Sequence, residues 1–367
     1  MSKRASPRVA VVHDYFANLG GSDTVARTLY DMFSGADMYT LLVYARNRNA
    51  EILRDVKLRT SFLQHMPFAQ RTHQPYLMWM PLAIEAFDLR AYDLVLSSSH
   101  TVAHGAIPNP DARHICYCHT PMRYAWDMEA QYLSELPVLA RPLMRAVMHR
   151  MRVWDVTAAA RVDQFVANSN FVARRIAKYY RRDAVVIPPP VDTDFYAPRA
   201  VTRQDYFLVA GRLTGYKRVD LVLQAFQKTD AKLVVIGDGP ERKRLERMAS
   251  ANVTFLGATT REILREHFSQ CRALIFPGLE DFGILPVEAQ ATGCPVIAYG
   301  AGGVLDTVRD GETGVLFGAQ TADALRDAIA RAENLRFDAR VLREHALRFS
   351  IANFRARMMA LVQEQAA

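Results

Sequence analysis

Short apolar, β-branched runs alternate along the chain with stretches of helical periodicity, and that alternation predicts parallel βαβ construction. Strands are expected in the first half at residues 8–14, 38–44, 93–99, 113–119, 164–169 and 184–188. In the second half they are expected at 206–212, 232–238, 252–257, 273–278 and 294–300. Each half reads as its own doubly wound sheet. The tract IPPPVDTDFYAP (187–198) marks the boundary, because consecutive prolines remove backbone donors and favour an extended connector. The expected domains are 1–188 and 189–349. Ile351, Phe354, Met358 and Leu361 recur at helical spacing, so residues 350–367 should form a terminal amphipathic helix able to pack back on the first domain.

Length supports this division: 367 residues exceed the usual single-domain size. Half the residues are hydrophobic and 23% are charged, an ordinary globular composition. The opening apolar run, VAVV, meets His13 and Asp14 before any signal core develops, and no stretch of eighteen uncharged apolar residues follows. A cytoplasmic protein is therefore expected. Four cysteines are too few for a disulfide scaffold, and HICYCH (114–119) reads as a buried strand, since the second ligand pair of a zinc site is missing.

Charge changes the picture in one place. The formal net charge is +8, and ten basic residues lie between Arg141 and Arg182 with only Asp155 and Asp163 against them. Over 138–156, Arg141, Arg145, His149 and Arg152 form one helical stripe, while Leu143, Val147, Met151 and Trp154 form another. Two readings divide the segment evenly: a core-facing helix with a solvated basic side, or a helix lying on an anionic membrane at the inner face. No nucleic-acid-binding motif accompanies the charge, so nucleic acid is not expected.

Candidate chemistry gathers at strand ends. In IFPGLEDFGILPVEAQATG a strand ends at Pro277, a loop holds Glu280 and Gly283, and Pro286 is expected to start a helix carrying Glu288. The N–H groups of Gly283, Ile284 and Leu285 would offer a phosphate site, and Glu288, less than a turn into that helix, could accept hydrogen bonds from vicinal sugar hydroxyls. In YFLVAGRLTGYKRVD, Arg212 and Lys217 frame a glycine-containing turn and suit a diphosphate. Gly20 and Gly21 follow the first strand, where glycine permits close approach to a ligand, and Ser22 or Asp23 can cap the next helix. Asn168 and Ser169 are expected to cap or brace. His13, His100, His104 and His114 are read as structural or supporting.

Gly20-Gly21, CYCHTPMRY with His119, VANSNFVARRI, AGRLTGYKRVD and the Glu280/Glu288 pair together resemble family 4 of the retaining glycosyltransferases, in order and over nearly the whole chain. The resemblance implies the α/β GT-B fold, two facing Rossmann-like domains with parallel sheets and a cleft between them. It implies transfer of a sugar from a nucleotide-sugar to an acceptor hydroxyl with retention. Carried over by motif, Arg212 and Lys217 hold the diphosphate, Glu288 the ribose and Glu280 the donor sugar. His119 faces the transferred sugar, Gly20-Gly21 closes over the phosphates, and the base lies near residues 255–258, at Gly257.

The style is closest to bacterial surface-polysaccharide mannosyltransferases, which makes GDP-mannose the first expectation for the donor and a lipid-linked saccharide the expectation for the acceptor. LGATTREI lacks a carboxylate at Thr259 or Thr260 to read a guanine amino group, so UDP-sugars stay open. Asp192-Thr193-Asp194 invites a metal reading, but its place after the prolines favours a turn and helix cap. No essential metal or cofactor is expected. Two alternatives remain: a non-catalytic nucleotide-sugar-binding module and, less favoured, an NAD-dependent oxidoreductase, for which VIGDGPERKRL and AYGAGGVLDTV lack the complete fingerprint.

Overall fold

The computed structural model describes residues 7–134 and 136–364. By contact pattern it divides into two compact units. One runs to Pro189 and takes in the chain from Arg355 on, and the other spans Pro190–Phe354.

The first unit is built on seven parallel strands: β1 (Val9–His13), β2 (Asp37–Thr40), β3 (Leu58–Thr60), β4 (Leu94–Ser99), β5 (Arg113–Cys118), β6 (Gln164–Ala167) and β7 (Ala184–Val186). Their spatial order is β3-β2-β1-β4-β5-β6-β7. Every residue of β1 and β4 is buried, as expected where helices cover both faces of a parallel sheet.

The second unit has six: β8 (Tyr206–Ala210), β9 (Lys232–Ile236), β10 (Val253–Gly257), β11 (Leu274–Phe276), β12 (Val296–Tyr299) and β13 (Gly314–Phe317), in the order β10-β9-β8-β11-β12-β13. All pairings in both sheets are parallel. Each sheet thus starts at an inner strand, winds outward, returns to the centre and winds the other way. The crevice at that reversal lies between β1 and β4 in one unit and between β8 and β11 in the other.

The strand expectations hold as elements, with β2 ending at Thr40, short of the expected residue 44. Two strands went unrecognised in the sequence. β3 is three residues long with an exposed Arg59 at its middle, and β13 lies among glycines and carries only four residues. The basic segment forms the helix Arg141–Ala159, preceded by one tight turn over Val138–Ala140. Its buried side is Met148, Met151, Asp155 and Ala158, whereas Leu143, expected on the apolar stripe, is 72% exposed. In the terminal helix Ile351–Glu364, Phe354, Met358 and Leu361 are buried. Arg357 of that helix donates to the Val186 carbonyl at 2.5 Å.

Candidate functional site

In the second unit the loops leaving β8 and β11 touch. Gly211 adopts φ +124°, Arg212 follows it, and Lys217 closes a single turn, Gly215–Lys217, against which Gly278 is laid. A Cβ on Gly278 would stand 3.0 Å from the Lys217 Cα, so a side chain there would press the two loops apart. Arg218, directly after Lys217, is a non-glycine residue in the left-handed region (φ +53°), a strain that costs on the order of 1 kcal/mol. Lys217 forms an ion pair with Glu280, and its ammonium lies 5.8 Å from the Phe276 ring centre. Arg212 is exposed and has no side-chain partner among the described residues. One cation is therefore compensated and one is available, at the reversal point of the sheet.

The helix carrying Glu288 is Ile284–Ala291. It begins two residues earlier than expected, because Gly283 turns the chain with φ +92°. Pro286 falls in the first turn, where its missing donor costs nothing. Gly283, Ile284 and Leu285 are the N-cap and first two helical residues, whose N–H groups have no intrahelical acceptor, so the positive end of the helix opens on the Lys217–Glu280 loop. Glu288 consequently sits in the second turn, not within the first. It is partly buried beside Tyr196 and Arg261. Burial pushes its carboxyl up to about 7, against the pull of the Arg261 guanidinium and the Tyr196 hydroxyl, with Asp192 adding to the rise. Arg261 in turn pairs with Asp192 at 2.7 Å and stacks 3.7 Å over Phe195.

Asp192 also accepts the Phe195 N–H at 3.1 Å, the turn-capping role expected of that acidic tract. Asp194 is exposed. Among the described residues no group of three or more His, Cys, Asp or Glu side chains is placed to hold a metal ion. At the end of β10, the Gly257 carbonyl accepts the Gly237 N–H at 2.7 Å, and a Cβ on Gly257 would lie 2.9 Å from an Arg242 nitrogen. Arg242 is held by Asp238 (3.2 Å) and Glu246 (2.8 Å). Gly237 has φ +137°, and a Cβ there would fall 1.9 Å from the Gly211 carbonyl oxygen.

In the first unit the crevice between β1 and β4 is organised by Asp14. Its two carboxylate oxygens accept the N–H groups of His100 (2.6 Å), Thr101 (2.9 Å), Val102 (2.7 Å) and Ala103 (2.7 Å). Burial alone would raise this carboxyl, but His100, His13 and the N–H donors outweigh it and hold it below its ordinary value. Gly20 and Gly21 stand at the start of the helix Gly21–Asp31, and the Gly20 N–H donates to Asp23 at 2.7 Å, so Asp23 is the capping residue. Gly20 has φ −167°, extended backbone open to any residue, and its missing Cβ would meet only Asn18 at 3.8 Å. Neither backbone geometry nor crowding demands glycine at Gly20.

His119 follows β5 and is partly buried. Its Nε2 lies 2.9 Å from the Ser98 hydroxyl, its N–H donates to the Ser99 carbonyl at 2.8 Å, and its carbonyl accepts from Asn168 at 2.9 Å. Burial drives its pKa well below the ordinary histidine value, and His100 and His13 push the same way against Asp14. Ser169 caps the helix Asn170–Tyr180 through the Val172 N–H (3.1 Å), so Asn168 and Ser169 brace and cap as expected. Beside Thr101 opens a cavity of about 430 Å³, lined by Tyr15, His73, Leu77, Tyr124, Met144 and Met148 among others.

The basic segment proves to be divided. Arg152 pairs with Glu129, Arg161 with Glu85 and Arg175 with Asp127, while Arg182 donates to four backbone carbonyls. Arg145, Arg150, Arg174, Lys178 and Arg181 are exposed. Near the start of the helix, Val138 (70%), Leu139 (95%) and Leu143 (72%) are exposed as well. No helix among the described residues is long and apolar enough to cross a membrane.

Of the residues singled out in the sequence, the fold brings Lys217 and Glu280 together next to Arg212 where the second sheet reverses, sets Glu288 apart beside Tyr196 and Arg261, and places His119 against Ser98 of β4. Sequence reasoning missed Tyr196 and Arg261 beside Glu288, and Ser98 beside His119. The tyrosine stands in the proline-rich connector, but nothing in the local pattern tied it to a helix ninety residues on.

Comparison with known proteins gives two family models in succession: Glycosyltransferase Family 4 over residues 19–195 and Glycosyl transferases group 1 over residues 191–349. A D-inositol 3-phosphate glycosyltransferase of Geodermatophilus obscurus is 33% identical over 254 residues, 59% of this chain and 55% of that protein. A GDP-mannose-dependent alpha-(1-6)-phosphatidylinositol monomannoside mannosyltransferase of Mycolicibacterium smegmatis is 31% identical over 192 residues, 44% and 50%. The chain spans about half the length of these curated relatives. Among solved structures, the sucrose-phosphate synthase of Thermosynechococcus elongatus superposes with TM-score 0.75 at 17% identity, covering 98% of this chain and 99% of that one. Anabaena HepE in complex with UDP and glucose gives 0.70 at 16%, covering 98% and 100%. These likenesses establish the GT-B fold.

Proposed function

The chain belongs to the family 4 glycosyltransferases, and from that premise we propose that it is a retaining, metal-independent hexosyltransferase that moves a sugar from a nucleotide-sugar to an acceptor hydroxyl. One observation carries this reading most: a compensated cation (Lys217), an uncompensated one (Arg212) and an open helix N-terminus (Gly283–Leu285) converge where the sheet order reverses. That arrangement suits a diphosphate. As the anomeric C–O bond breaks, its electron pair passes to the leaving phosphate oxygen, and Lys217, Arg212 and the helix end stabilise the added charge, the task a divalent ion would otherwise perform. The acceptor oxygen bonds to the anomeric carbon on the same face and gives its proton to the leaving phosphate. Glu288 holds the ribose hydroxyls. Glu280, now paired with Lys217, orients the donor sugar, and His119 faces that sugar. Gly20-Gly21 closes over the phosphates, and the base lies by Gly257. No cofactor is required.

We take GDP-mannose as the donor, on the sequence style and on the GDP-mannose dependence of the mycobacterial relative. For the acceptor we take a lipid-linked saccharide. The largely apolar cavity beside Thr101 and the exposed Val138, Leu139 and Leu143 next to exposed arginines support an amphipathic acceptor met at an anionic membrane surface. The deciding experiment is thermal stabilisation and transfer across GDP-, UDP-, ADP- and dTDP-sugars without added metal, for the parent and Glu288→Ala. Stabilisation and turnover by GDP-mannose alone, lost in the variant, is the expected result. Selective action on another donor overturns the mannose assignment, and no response to any nucleotide-sugar overturns the transferase reading.

A further inference from the structure

Behind His119 runs a line of polar groups that the proposed chemistry leaves unused. His13 Nε2 and Asp23 Oδ1 are both buried, face one another at 3.5 Å, and have no other hydrogen-bond partner. The other Asp23 oxygen is taken by the Gly20 N–H at 2.7 Å. On its far side, His13 Nδ1 lies 3.1 Å from the Ser98 hydroxyl and 3.2 Å from the Ser98 carbonyl oxygen, and the hydroxyl lies 2.9 Å from His119 Nε2. The second ring nitrogen of His119, Nδ1, has no partner among the described residues. The line therefore starts at a carboxylate and ends at one nitrogen that is free to meet a ligand.

Its polarity follows from what each group can do. Both the Asp23 carboxylate and the Ser98 carbonyl only accept, and with a single ring proton on His13 the ionised carboxylate is the stronger acceptor, so the proton goes to Nε2 and Nδ1 is left to accept. Nδ1 then takes the Ser98 O–H. With its proton committed, the Ser98 oxygen accepts from His119 Nε2–H, and His119 Nδ1 is left as a lone pair. We propose that Asp23, His13 and Ser98 are positioning residues that fix His119 as its Nε2–H tautomer, presenting Nδ1 as an acceptor to a hydroxyl of the bound sugar or acceptor. The sugar part of this statement rests on the reading of His119 above, whereas the tautomer does not.

The groups facing the line are few. The His100 ring is 6.0 Å from His13 and 6.2 Å from His119, Tyr117 stands 5.1 Å from His119, and Asp14 pairs with His100 at 3.1 Å. Burial also keeps the His119 ring neutral, so a tautomer is the property to be set.

Nitrogen-15 spectra of the full-length, histidine-labelled protein at pH 8 report the tautomer of each ring without any assay of transfer. The His119 signals are assigned by their loss in His119→Gln. The parent should show His119 protonated on Nε2. Ser98→Ala should release it to a tautomer mixture, and Ser98→Thr should restore it. Asp23→Asn should reverse the line: its amide oxygen keeps the Gly20 bond, its NH₂ faces His13 Nε2, and each proton shifts so that His119 becomes the Nδ1–H form. With the preferred donor, Asp23→Asn should lower kcat about 10- to 100-fold while KM changes little. A parent His119 protonated on Nδ1, or a tautomer indifferent to both Ser98→Ala and Asp23→Asn, overturns the proposal. If the tautomer behaves as stated and no nucleotide-sugar is turned over, the positioning line stands and the transferase reading falls.

Discussion

A carboxyl group that titrates near neutrality makes a protein sensitive to modest changes of pH, and Glu288 is such a group. Its folded pKa of about 7 lies above the ordinary glutamate value of 4.5. The stability it contributes is therefore fully present below 4.5 and is lost as pH rises through about 7. Glu288→Gln should remove that loss and raise the stability of the free protein at pH 8 by about 1–3 kcal/mol, measured by chemical denaturation. Binding runs the other way. The ionised carboxylate is the better acceptor for ribose hydroxyls, so donor affinity should rise several-fold between pH 6 and pH 8 in the parent and stay flat in the glutamine variant. Calorimetric titration at the two pH values checks this, and a parent affinity that falls with pH would remove Glu288 from the ribose.

Among elements, the loops after β8 and β9 are locked by a contact that only glycine allows. Gly237→Ala places a methyl 1.9 Å from the Gly211 oxygen at φ +137°, and it should cost several kcal/mol and weaken nucleotide-sugar binding together. Gly215→Ala, in the same region but with open space around it, should change stability by no more than about 0.5 kcal/mol. Comparative melting of the two variants separates a general dislike of substitution from the specific contact. The same contrast explains what the chain made legible. Long apolar runs such as those of β1 and β4 announce themselves because both faces are buried, and a motif at a strand end reads as a site because parallel sheets bind there. The three residues of β3 bury too little to leave a pattern. The early start of the Glu288 helix depends on one glycine φ. Tyr196, Arg261 and Ser98 reach their partners only through the completed fold, so their roles have no local signature.

Taken whole, the molecule spends its positive charge in two ways. The +8 excess suggested a basic face, yet Arg152, Arg161 and Arg175 are answered by Glu129, Glu85 and Asp127 from outside the segment, which leaves a smaller exposed set beside Val138, Leu139 and Leu143. Association with anionic vesicles should accordingly need both charge and apolar contact. It should weaken with salt, and the double change Leu139→Glu, Leu143→Glu should weaken it at least about tenfold in a sedimentation assay. Equal binding by parent and double variant would assign the surface to solvent. The unit boundaries carry a separate consequence for how the protein is made. The first unit claims the chain from Arg355 on, with Met358 and Leu361 buried and Arg357 bound to Val186. On the ribosome those residues emerge only after the entire second unit, so the half that begins synthesis first is the last to be finished. Until then it waits with an unfilled apolar surface while its younger neighbour folds.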